Sequence, residues 1–94
     1  MTEYEEAFIA VEQINGELMD RYLESPPVLS ITKAGSYLEI AICISEGDPI
    51  GIQLFNSENN DRKWNKELNQ YEPFYKYIKR KFSRLKKIIN AVKL

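Results

Sequence analysis

Histidine is absent from this 94-residue chain, and cysteine occurs once, as Cys43. Without histidine the chain lacks the side chain best suited to proton transfer near neutral pH. Without a histidine or a second cysteine it cannot assemble the usual zinc tetrad. A single thiol closes no intramolecular disulfide, and a reducing cytoplasm is its natural setting. No run of 18 apolar residues occurs, so no membrane partner is expected. Met1, Thr2 and Glu3 turn acidic at once, the wrong start for a secretory signal, which again favours a cytoplasmic location. Gly47 and Gly51 stand apart, which excludes a phosphate-cradling loop. Glu46, Asp48 and Glu58 lack calcium-loop spacing. No enzyme activity, cofactor or metal is expected.

What is present suffices for one small core. Apolar residues make up 44% of the chain and aromatics 12%, which argues against disorder and for a single small domain over residues 1–94. The net charge of −1 hides a segregation. Residues 1–25 hold seven acids and one base, whereas residues 62–94 hold two acids and eleven bases. Such asymmetry means either a basic arm for nucleic acid or two oppositely charged helices lying side by side.

Thr2 followed by Glu5 has the capping-box spacing, so a helix is predicted over about residues 2–24. Its apolar stripe runs through Tyr4, Phe8, Val11, Ile14 and Leu18. Ser25-Pro26-Pro27 ends it. Strands follow at about 28–33, 37–45 and 50–55, separated by turn-forming Gly35-Ser36 and Glu46-Gly47-Asp48-Pro49. In the second, Leu38, Ile40, Ile42 and Ile44 alternate with Tyr37, Glu39, Ala41, Cys43 and Ser45. In the third, Ile50, Ile52 and Leu54 continue the inward set and Gly51, Gln53 and Phe55 the outward one. The spacing of Trp64, Leu68 and Tyr71 predicts a short helix over about 61–71. A longer basic helix is predicted over about 73–93, its stripe drawn through Tyr71, Tyr75, Ile78, Phe82, Leu85 and Ile89.

The fold class is therefore α+β in the order α-β-β-β-(α)-α. A three-stranded antiparallel meander should have both terminal helices packed on one face, because only their stripes can cover its inward aliphatics. Stripped of the short helix, this order resembles that of double-stranded RNA-binding domains. Their second helix is entered by a basic, glycine-containing stretch, where this chain reads Asn59, Asn60, Asp61, Arg62, Lys63 and Trp64.

Two surfaces are candidates for function. The outer sheet face, with Tyr37, Glu39, Cys43, Gln53 and Phe55, mixes small residues with aromatics and suits a partner protein. Cys43 reads there as a small packing residue and not as a nucleophile. The alternative covering is the chain itself, folded back over this face from residue 56 to residue 70. The second candidate is the basic helix, where Lys76, Lys79, Arg80, Arg84, Lys86 and Lys87 could neutralise phosphates, with off-stripe Phe74 and Tyr77 stacking on bases. The expected function is a non-enzymatic protein-binding module, an inhibitor, adaptor or immunity-type protein like those of phages and mobile elements. Nucleic-acid binding is the alternative. A homodimer is a further expectation, with the basic helix of one copy against the acidic helix or the sheet of the other.

Overall fold

A computed structural model describes residues 1–44 and 50–85. Helix α1 spans Glu3–Arg21. Thr2 caps it as the spacing predicts, its Oγ1 accepting from the Glu5 N–H at 3.1 Å while the Glu5 carboxylate accepts from the Thr2 N–H at 3.3 Å. The Tyr22 N–H still bonds the Leu18 carbonyl, and Ser25 then takes a positive φ of 47° before the two prolines. Strands β1 (Val28–Ala34), β2 (Tyr37–Ile44) and β3 (Ile50–Asn56) form an antiparallel sheet in that order. Gly35 has a φ of +61° at the first central position of a two-residue connection, the place where a hairpin of this kind requires glycine.

Both helices pack on one sheet face. Leu29, Leu38, Ile40, Ile42 and Ile44 form one buried cluster with Ala7, Val11, Ile14 and Leu18 of α1 and with helix α2 (Phe74–Leu85). The small side chains of Ala7 and Ala10 occupy the contact face of α1, which turns Phe8 outward. Phe8, expected in the core, is 40% exposed. Position 89 and the expected extension of α2 to residue 93 lie outside the described residues, as does the turn at 46–49.

Three further expectations are corrected. Residues 61–71 are not helical but carry a small hairpin, β4 (Trp64–Asn65) against β5 (Gln70–Tyr71). Asn69 supplies the left-handed residue of its turn at φ 52°, and the Asn65 side chain accepts from the Leu68 N–H. The strict alternation of β3 fails because the register slips between Ile40 and Ala41, whose partners are Phe55 and Gln53. Leu54 is the extra residue of a bulge, so Leu54 and Phe55 are both buried, while Ile50, expected inward, is exposed. Finally, α2 buries Phe74, Tyr77, Ile78, Phe82 and Leu85, leaving Tyr75 half-buried and Tyr71 outside the helix and exposed. Phe74 and Tyr77 therefore cannot stack on bases. They hold Phe55 edge-on, with ring centroids at 5.0 and 5.8 Å.

The sheet edges are partly closed by side chains. Asn15 of α1 pairs with β1 as another strand would, donating to the Leu29 carbonyl at 3.1 Å and accepting its N–H at 2.8 Å. On β3, the Tyr77 hydroxyl lies 2.9 Å from the Leu54 carbonyl and 2.6 Å from Asp61 Oδ1, one proton serving two acceptors.

Candidate functional site

The register places four rows on the outer sheet face: Val28–Cys43–Gly51, Ser30–Ala41–Gln53, Thr32–Glu39–Asn56 and Ala34–Tyr37. Tyr37, Glu39, Cys43 and Gln53 are thus brought together, with Tyr37 donating its hydroxyl to Glu39 at 2.9 Å. Phe55 is not among them. At 2% exposure it points to the helices, because the bulge reverses its side. Val28, Cys43, Gly51 and Gln53 are exposed, so no described segment covers the face. The chain leaves it at once: Ser57 bonds the Leu38 N–H and carbonyl at the end of β2, and residues 61–72 cross to the helix side. One end of the face is thus a shallow strip of small residues, with a free thiol open to solvent rather than packed. Polar Thr32, Glu39 and Tyr37 flank it. The geometry offers backbone approach and shape. Among the described residues no three metal-ligating side chains converge.

The basic face of α2 proves to be largely answered by the chain's own acids. Lys79 lies 3.2 Å from Glu17 of α1, Arg80 pairs with Glu72, and Lys81 (2.6 Å) and Arg84 (3.4 Å) share Asp61. Of the nucleic-acid candidates, Lys76 alone among the described residues has no ion pair, and positions 86 and 87 lie outside the described residues. The two helices do lie together, but Glu17–Lys79 is the single ion pair directly between them among the described residues. Most of the compensation comes from Asp61 and Glu72, which flank the hairpin. Hydrogen bonds from Lys81 and then from Tyr77 hold the Asp61 carboxyl down to about 2, from an ordinary 3.8.

That shift has a sign. A carboxylate more acidic in the folded state adds stability above its unfolded pKa and loses it as pH falls through the folded value. Asp61 should therefore contribute to acid unfolding as pH drops from 3.8 toward about 2. Urea midpoints measured at about pH 6 and about pH 2.5 should lie closer together in Asp61→Asn than in the wild type. An unchanged difference would mean that the contacts to Lys81 and Tyr77 are not held in solution.

The hairpin is the surface that sequence reading missed. Trp64 and Tyr71 face each other across it, centroids 4.9 Å apart and edge to face, at 49% and 45% exposure, with Leu68 at its tip 64% exposed. Lys63, Lys66 and Lys76 line the same open cleft of about 660 Å³. A spacing of four and three imitated a helix here. The available counter-signal was Asn65 just before, and Asn69 at the end of, a four-residue turn.

The chain matches no known protein family, curated protein or solved structure. The described element order, with a hairpin inserted before α2, also departs from the α-β-β-β-α order of double-stranded RNA-binding domains. Among the described residues no helix is long and apolar enough to cross a membrane.

Proposed function

We propose that this chain is a non-enzymatic protein-binding module that acts by occupying the surface of a partner protein, as an inhibitor, adaptor or immunity-type protein of the sort phages and mobile elements encode. The observation that carries this reading is the uncovered sheet face. A chain of this size has little apolar surface to spare, yet it leaves Val28, Ala41, Cys43 and Gly51 in one open strip while both helices sit on the other side. Small side chains let a partner's backbone or a flat aromatic come close, and Tyr37 with Glu39 supplies polar contacts at the margin.

The test is capture from lysate of the source cell, treated or not with nuclease, on immobilised wild type, Ala41→Arg and Cys43→Arg. A discrete protein should be retained by the wild type after nuclease treatment and lost with both variants, each of which should melt as the wild type does. A bound protein should also slow maleimide labelling of Cys43, the sole thiol. Retention by both arginine variants would move the contact off the sheet. Capture that vanishes with nuclease would favour the nucleic-acid alternative through Lys76, Lys79, Arg80 and Arg84, whose binding would also fall steeply with salt.

A further inference from the structure

Two exposed surfaces remain that neither the core nor the sheet face uses. One is the hairpin cleft, where Trp64, Leu68 and Tyr71 are ringed by Lys63, Lys66 and Lys76, with Glu67 and Glu72 also on its wall. None of these three lysines is in an ion pair among the described residues. A two-stranded ribbon of this size is marginal by itself in water, and its rings remain half in solvent. The other is the outer side of α1. At 100° per residue, Phe8, Ile9 and Met19 fall on one face with Glu12, Gly16 and Asp20, opposite the buried Ala7, Ile14 and Leu18. Phe8, Ile9 and Met19 are all exposed, and Glu12 and Asp20 have no ion pair among the described residues.

The two surfaces are complements. One is concave and aromatic, with three lysines against Glu67 and a Glu72 already paired with Arg80, so that positive charge is in excess; the other is apolar, anionic and convex, with a glycine at its middle. A Cβ added at Gly16 would meet nothing within 4 Å, so no described residue fills that place. They also adjoin. Glu3 and Glu6 of α1 line a second cleft together with Trp64 and Tyr71, which places the hairpin beside the first turns of the same helix. A hairpin that borders its own α1 can reach the α1 of a two-fold-related copy while that copy's hairpin reaches back, so the contact closes at two. We infer that the hairpin cleft of one copy docks on the outer face of α1 of a second copy, forming a reciprocal homodimer that leaves both sheet faces open for a partner protein.

Trp64 is the sole tryptophan, so its emission reports the docking directly. On raising the concentration at low salt, sedimentation should pass from monomer to dimer while the emission moves to the blue. Raising salt should reverse both, because the facing charges are screened. Lys66→Glu and Glu12→Lys, each at an exposed site and expected to fold normally, should each weaken association by about tenfold or more. Mixed in equal amounts they should associate again, because opposite charges then face each other at both contacts. Trp64→Ala should weaken the dimer whatever the salt. A protein that stays monomeric to roughly millimolar concentration at low salt overturns the inference. So does a dimer that salt strengthens, or one whose charge-reversed halves fail to recover on mixing.

Discussion

Replacing Arg62 by alanine is expected to destabilise the protein by about 3 kcal/mol, more than any other charged residue. Among the described residues Arg62 is the only charged one that is buried, at 8% exposure. Its Nε and Nη2 donate to the Glu72 carbonyl at 3.2 and 2.8 Å, and Glu3 and Glu6 lie 3.5 Å from Nη1 and Nη2. The guanidinium lies 3.8 Å from the centroid of Phe74 and 5.4 Å from that of Tyr71. Removing it strips a carbonyl of two charged donors, worth about 1–3 kcal/mol, and two rings of a cation, worth up to about 2 kcal/mol when desolvated. The carboxylates themselves are half in water and are not stranded, which keeps the loss below that of a fully buried pair. The damage should spread, because Glu6 also accepts the Phe74 N–H at 2.9 Å and so caps α2 from α1. Arg62→Met separates the causes: it keeps an unbranched apolar stem without the charge and should recover roughly half of the loss, whereas Arg62→Lys, a point charge without the planar fork, should not do much better than methionine. Urea unfolding at neutral pH measures all three. A loss under about 0.5 kcal/mol for alanine, the range of ordinary surface changes, would mean that Arg62 is not seated there in solution.

Arg62 also shows where sequence reading stops. Elements that follow from local chemistry were legible: the cap at Thr2, the inward run Leu38, Ile40, Ile42 and Ile44, and the placing of both helices on one face. What was not legible depended on contacts between distant residues. An arginine amid eleven bases reads as surface, and nothing near it in sequence shows that Glu3 and Glu6 will meet it. The stripe of α2 could be drawn from Tyr71 or from Phe74, since both sets share Ile78, Phe82 and Leu85. The choice falls to Phe74 because Phe55 comes inward to meet it. For the candidate face, the alternation of β2 located Tyr37, Glu39 and Cys43, and the bulge in β3 removed Phe55. Charge was legible as an asymmetry but not as a purpose. Asp61 stands 20 residues before Lys81 and 23 before Arg84, and Glu72 eight before Arg80, so their pairing depends on the hairpin between the two acids bringing both to α2.

The bulge itself is open to a direct test, because the two registers predict opposite outcomes for one residue. On an unbroken β3, Phe55 would stand on the solvent face and its truncation would be almost neutral. With Leu54 inserted as the extra residue, Phe55→Ala should cost about 3–5 kcal/mol, the usual loss for a buried phenylalanine. That is a large part of the 5–15 kcal/mol that holds an average domain together. The loss has three parts: apolar area returned to water, edge-to-face contacts with Phe74 and Tyr77, and a cavity between β3 and α2 that the bulge keeps from closing. Tyr77 cannot move into that space without drawing its hydroxyl from the Leu54 carbonyl and from Asp61. If the alanine variant does not fold, Phe55→Leu carries the same test at about 1–2 kcal/mol, since it loses the ring geometry but keeps most of the volume. Gln53→Ala, two residues away on the open face, should stay within about 0.5 kcal/mol of the wild type. Chemical unfolding of the three variants decides between the registers: similar small losses for Phe55→Leu and Gln53→Ala would restore the unbroken alternation, and return Phe55 to the face where a partner could reach it.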